Sequence, residues 1–137
     1  MYYNLFFQSL ILVDCGCDFG GYASDITRTW PLSGRFDTYQ KLLYQAVLDI
    51  QIELIEKVST NAEEQTVDKL YRTMLTALGE RLVDLGIINQ DIANDEAKLQ
   101  AACNEFCPHH VSHYLGMDVH DTGIFKHIFF ISKLPHF

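Results

Sequence analysis

The chain has 137 residues, a formal net charge of -8 at pH 7, 48% hydrophobic residues and 20% charged ones. That length carries one domain with a real core, and the composition is globular and argues against disorder. The acidic balance disfavours nucleic acid or an anionic membrane as a partner and fits cationic ligands, metal ions included.

The first twelve residues, Met1 to Leu12, are apolar but lack a basic leading segment and a small-residue cleavage site, so the chain does not read as secreted. No stretch reaches the roughly 18 apolar residues of a membrane-spanning helix. Leu10-Ile11-Leu12-Val13 is a short unbroken apolar run and predicts a strand buried on both faces. Phe19-Gly20-Gly21 supplies turn chemistry, and Tyr22 to Trp30 predicts a second strand that Pro31 ends. Together they make a hairpin.

Asp37-Thr38-Tyr39-Gln40 has the form of a capping box. Leu43, Val47, Ile50, Leu54 and Val58 follow at helical spacing, predicting a helix over 38–58. A second helix is predicted over 66–85, with Val67, Leu70, Met74, Leu78, Leu82 and Leu85 on one stripe and Gly86 as its stop. Residues 91–102 predict a weaker helix. This order gives an α+β domain, with helices covering one face of a mainly antiparallel sheet. The cysteines, Cys15/Cys17 and Cys103/Cys107, do not match the spacing of zinc knuckles and are read as structural thiols.

Asp14 ends an apolar strand, where an ionised carboxylate is costly without a counter-charge. Asp25 lies on the next strand. A turn centred near Phe19-Gly20 places the two almost opposite each other, whereas one centred on Gly20-Gly21 needs a bulge to bring them together. Directly opposed like charges destabilise a sheet, so facing aspartates ask for a cation between them. The plainer alternative has Asp14 opening a turn and Asp25 facing solvent. Pairing of Asp25 with Arg28 is disfavoured, because the two fall on opposite faces of a strand. Five of the six histidines fall between His109 and His127, and neutral imidazole suits zinc, manganese or iron. Taken singly, each histidine reads as a hydrogen-bonded core or surface residue; the clustering is what raises a ligand role.

Three stretches carry a family resemblance. They are Asp14-Cys15-Gly16, then Tyr22-Ala23-Ser24-Asp25-Ile26-Thr27-Arg28-Thr29-Trp30-Pro31, then the run from Pro108 through His113-Tyr114-Leu115-Gly116-Met117 to His120-Asp121. They resemble the Xaa-Pro aminopeptidases, metallopeptidases of the pita-bread fold, with prolidase as the near rival. The resemblance covers residues 9–123 as a partial catalytic domain, with divergent apolar ends at 1–8 and 124–137. It implies two divalent ions, manganese first and zinc or cobalt as alternates, holding a hydroxide that attacks the scissile carbonyl. Asp14 would chelate one ion, Asp25 would bridge both, and His113 would bind the second. His120 and His109 would line the pocket, with His120 hydrogen-bonded to the scissile peptide. The implied substrate is a peptide with proline second, and the implied compartment is the mitochondrion or the cytosol.

The sequence also departs from the pattern. The family completes its site with two glutamates, one in a Glu-Pro-Gly turn that also shuttles the proton, and no Glu follows Glu105. The expectation is a truncated product, from splicing or an imperfect gene model, inactive alone. The rival expectation is a catalytically dead binding module that pairs with a second copy or with the full-length enzyme. A Cys/His zinc module is the third.

Overall fold

The structure, a computed structural model, describes residues 9–61 and 65–122. The divergent ends expected at 1–8 and 124–137 lie outside them. Strands β1 (Leu10–Cys15), β2 (Asp18–Phe19), β3 (Tyr22–Ala23) and β4 (Ile26–Pro31) come first. Helices α1 (Thr38–Asn61), α2 (Val67–Asp84), α3 (Gln90–Ala93) and α4 (Glu96–Phe106) follow.

The strands form one antiparallel hairpin. Leu12 pairs with Thr29, Asp14 with Thr27 and Cys15 with Ile26. The same offset continues through Asp18 with Ala23 and Phe19 with Tyr22. The turn is therefore centred on Gly20-Gly21, whose φ angles of 62° and 84° suit the tight hairpin turns that need positive φ. No bulge shifts the register, so Asp14 faces Thr27 rather than Asp25. The expected second strand is also broken at Ser24-Asp25. There the Cys17 N–H donates to the Ser24 hydroxyl at 3.0 Å, a side chain taking a ladder bond. At Gly16 a Cβ would lie 1.8 Å from the Ser24 carbonyl oxygen, so only glycine lets the two chains pass this closely.

The helix boundaries follow their predicted caps. The Gln40 N–H donates to Asp37 Oδ1 at 2.8 Å, and the Asp37 N–H donates to Gln40 Oε1 at 3.0 Å. This reciprocal pair opens α1. The Thr66 hydroxyl accepts from the Lys69 N–H and caps α2. At the far end Gly86, at φ 68°, donates to the Val83 carbonyl, and Ile87 donates to the Leu82 carbonyl. Those two bonds are the Schellman closure that a glycine stop predicts. The weak third helix is two pieces, because Asp95 caps a new start by accepting from the Ala97 and Lys98 N–H groups.

The core lies among the helices: Ile50 and Leu54 of α1, Leu70, Met74, Leu75, Leu78 and Leu82 of α2, then Cys103, Cys107 and Val111. Burial pushes the Cys103 thiol up from its ordinary pKa, and the neighbouring Cys107 adds to it, so Cys103 stays a neutral core thiol. All four cysteines are free thiols. The expectation that β1 is buried on both faces is corrected: Leu12 is 59% exposed and Val13 is exposed too. Among the described residues β1 has one strand neighbour, β4. The helices face the hairpin across an open apolar groove lined by Leu10, Leu12 and Thr29 on one side and by α1 and α2 on the other.

Candidate metal centre

Asp25 directly precedes β4, and it and Thr27 are buried while Ile26 between them is exposed, so Asp25 lies on the same side as Thr27, whose hydroxyl donates to Asp14. Asp14 and Asp25 are thus diagonal neighbours on one face, not a directly opposed pair. Asp25 is 8% exposed, a position where a carboxylate needs a partner.

That partner comes from the loop after α4. Cys107 and Val111 are buried in the helical core and anchor the loop there. Beyond them the loop crosses to the hairpin, where the Ala23 N–H donates to the Gly116 carbonyl at 3.4 Å. It then folds back through a bridge between Tyr114 and Asp121. Gly116 is needed for that return, since a Cβ there would sit 1.6 Å from Asp121 Oδ2. The fold-back sets the His120 ring edge-on to the His113 ring, with centroids 4.8 Å apart.

Among the described residues, Asp25, His113 and His120 each offer a ligand atom, all within 4.8 Å of one another. His113 Nε2 lies 3.2 Å from Asp25 Oδ2, and its Nδ1 lies 3.1 Å from the Tyr114 carbonyl oxygen. A carbonyl only accepts, so Nδ1 carries the proton and donates. In the neutral ring Nε2 then points its lone pair at a carboxylate oxygen. Two acceptors hold that line only with a positive charge between or upon them, either a second ring proton or a metal ion. A backbone carbonyl fixing the tautomer behind a ligand nitrogen is the usual support of a metal-binding histidine.

The trio fits a metal ion. Donors at ~2.1 Å from one tetrahedral ion stand about 3.4 Å apart. The His113–Asp25 pair, at 3.2 Å, already meets that separation, and the atoms of the trio, within 4.8 Å of one another, would close by up to roughly 1.4 Å. One carboxylate and two imidazoles suit zinc, manganese or iron better than calcium or magnesium.

The remaining expected residues sit differently. Asp14 stands outside this trio and accepts a hydrogen bond from the Thr27 hydroxyl at 2.7 Å. His109 is exposed and apart from the cluster, with Nδ1 donating to the His110 carbonyl at 3.1 Å and its ring beside Cys107 Sγ at 3.8 Å. His120, expected in the substrate pocket, lies within ligand distance of the other two. Thr27 was not singled out in the sequence. Its place two residues after Asp25, hence on the same strand face, was the available signal. The Tyr114 carbonyl left no such signal, because any residue carries one.

A carboxylate-bearing hairpin, two long helices and a histidine loop returning to the hairpin make up part of a pita-bread metallopeptidase fold. Residues 4–134 match the model of metallopeptidase family M24, and the chain belongs to that family. It is 48% identical over 113 residues to Xaa-Pro aminopeptidase 3 of Rattus norvegicus, which covers 82% of this chain and 21% of that relative. Among solved structures it is similar to the aminopeptidase PepP of Pseudomonas aeruginosa, with a TM-score of 0.73 and 35% identity over 86% of this chain and 26% of that one. It is also similar to Zn-substituted Escherichia coli aminopeptidase P in complex with product. That match has a TM-score of 0.70 and 32% identity over 90% of this chain and 28% of that one. The chain therefore spans about a fifth of the length of the mammalian relative it matches.

Proposed function

We propose that these residues form the metal-holding part of an Xaa-Pro aminopeptidase, which releases the first residue from peptides with proline second. The observation that carries this reading is the pairing of His113 Nε2 with Asp25 Oδ2 beside His120, an arrangement whose positive charge a metal ion can supply. Two divalent ions are the proposed cofactors, manganese first and zinc or cobalt as alternates. Asp14, Asp25 and His113 would hold them. When bound, such ions polarise the scissile carbonyl and lower the pKa of coordinated water.

The chain's own groups supply orientation. The Tyr114 carbonyl holds the His113 ring with Nε2 toward Asp25. The Thr27 hydroxyl holds one oxygen of Asp14. His120 is exposed on the open side of the cluster, where its ring can hydrogen-bond the scissile peptide. His109 is the second residue assigned by the resemblance to the substrate pocket.

The family's two further glutamate ligands do not occur after Glu105. One of them is also the proton shuttle, so these 137 residues alone bind metal weakly and turn peptide over negligibly. Among the described residues no helix is long and apolar enough to cross a membrane. The resemblance, taken separately, supports the mitochondrion or the cytosol as the compartment.

Equilibrium dialysis with an Xaa-Pro-Xaa peptide tests the reading. The expected result is peptide retention that needs Mn²⁺ and is lost in Asp25→Ala. Retention unchanged by EDTA counts against it. In the same samples the first residue should be released no faster than by the Asp25→Ala variant.

A further inference from the structure

Two of the four free thiols stand in the hairpin, beside the metal centre but not part of it. Cys15 ends β1, one residue after Asp14, and Cys17 lies one residue before β2. The hairpin register is the same on both sides of Gly16, with Cys15 opposite Ile26 and Asp18 opposite Ala23. Strand alternation therefore runs through Gly16 and sets the two cysteine side chains on one face. Both are exposed among the described residues, whereas Cys103 and Cys107 are buried in the helical core.

Local geometry equips this pair for one reaction. Extended chain holds the two Cα atoms roughly 6.6 Å apart, at the long end of what a disulfide spans. Closing a bridge needs the chain to contract at the residue between them, and that residue is glycine, which has the backbone freedom to do so. The Ser24 hydroxyl accepts from the Cys17 N–H at 3.0 Å and stands 3.5 Å from Cys17 Sγ. A lone pair of the hydroxyl is taken up by the N–H, and its own proton is free to turn toward the sulfur.

We propose that Cys15-Gly16-Cys17 is a reversible dithiol–disulfide site, oxidised by a low-molecular-weight disulfide such as oxidised glutathione. The Cys17 thiolate attacks one sulfur of that disulfide, whose S–S bond breaks and releases one glutathione thiolate. The Cys15 thiolate then attacks Cys17 Sγ, forming the Cys15–Cys17 bond and expelling the second glutathione. The two protein thiol protons pass to the two glutathione thiolates, so two protein thiols are oxidised and one disulfide is reduced. A bridge across so short a segment is strained, and strained, exposed disulfides are the labile and regulatory ones.

The consequence reaches Asp25. Ser24 is pinned to Cys17 through its hydroxyl and through its own N–H, which donates to the Cys17 carbonyl at 2.8 Å. Gly16 packs against the same junction, where a Cβ would stand 3.4 Å from the Asp25 nitrogen. Contraction at Gly16 draws Cys17 away from Ser24 and loosens the backbone that carries Asp25. Oxidation thereby weakens metal binding. That effect rests on the proposed metal centre, whereas the disulfide itself does not.

The test equilibrates the 137-residue chain with oxidised glutathione, blocks free thiols with N-ethylmaleimide under denaturing conditions and maps the peptides by mass spectrometry. The expected result is loss of two hydrogens from the peptide holding Cys15 and Cys17, reversed by dithiothreitol, with Cys103 and Cys107 recovered as thiols. Cys15→Ser should instead trap glutathione on Cys17. A persistent glutathione adduct in the native chain, a cross-link between two chains, or both hairpin thiols left free overturns the proposal. Mn²⁺ affinity by calorimetric titration should fall about 10-fold or more on oxidation and stay unchanged in Cys15→Ser/Cys17→Ser given the same treatment. Equal affinity in the reduced and oxidised chains contradicts the link to Asp25. No Mn²⁺ binding by the reduced chain overturns the metal centre instead, and the peptide map alone then decides the disulfide.

Discussion

At the scale of single residues, the site is a problem in hydrogen-bond direction. The Tyr114 carbonyl accepts the hydrogen bond from His113 Nδ1, which in the neutral ring leaves the lone pair of Nε2 facing the Asp25 carboxylate. The Thr27 hydroxyl performs the matching service for Asp14, at 2.7 Å. Removing such a supporting bond costs metal affinity about 10-fold or more. Thr27→Val should therefore weaken Mn²⁺ binding by about 10-fold in calorimetric titration, and Thr27→Ser should recover most of the loss. An affinity unchanged in Thr27→Val would separate Asp14 from the ion. Asp14, Asp25 and the histidine cluster were visible as candidates because carboxylates in apolar strands and clustered imidazoles are conspicuous. Thr27 and the convergence of His120 were not, since both depend on strand alternation and on a loop return that Gly116 permits.

At the scale of elements, local chemistry governed what could be read. The caps at Asp37 and Thr66 and the stop at Gly86 are contained within a few residues, and the helices begin and end within a few residues of where those signals put them. Thr66→Ala should cost about 1 kcal/mol of stability by removing the bond to the Lys69 N–H. Gly86→Ala should cost roughly 1 kcal/mol, because φ 68° strains any residue with a Cβ. Both are measurable by urea unfolding. Asp95 adds a pH dependence. The Lys98 backbone N–H, then the Lys98 side chain, holds its carboxyl below the ordinary value of 3.8. The contribution is present above that ordinary value and is lost as pH falls through the lower folded value. Helical circular dichroism should therefore decline in acid, with α4 fraying first, and Asp95→Asn should blunt that pH dependence. The strands were harder to read. The apolar run of β1 resembles a strand covered on both faces, but covering depends on partners distant in sequence, and periodicity holds no information about them.

At the scale of the whole molecule, the helical core and the hairpin meet through the histidine loop and face each other across the groove. A metal ion held as proposed, between Asp25 of the hairpin and His113 of the loop, would therefore be a cross-link between the two halves. Ligand bound only to the folded state at about 100 times its Kd adds roughly 2.7 kcal/mol to stability. Mn²⁺ at that excess should raise the thermal midpoint, EDTA should reverse the rise, and Asp25→Ala should abolish it. Sequence order was enough to read the α+β architecture, because antiparallel neighbours and short connections leave few alternatives. It was not enough to read the diagonal placement of Asp14 and Asp25, which turns on whether the hairpin pivots at Phe19-Gly20 or one residue later. The most direct test of the metal site is electron paramagnetic resonance of Mn²⁺ titrated into the 137-residue chain and into Asp25→Asn. Saturable loss of the free-ion signal with the native chain, absent in the variant, is the predicted result. Equal binding by both chains, or binding by neither, would contradict the site.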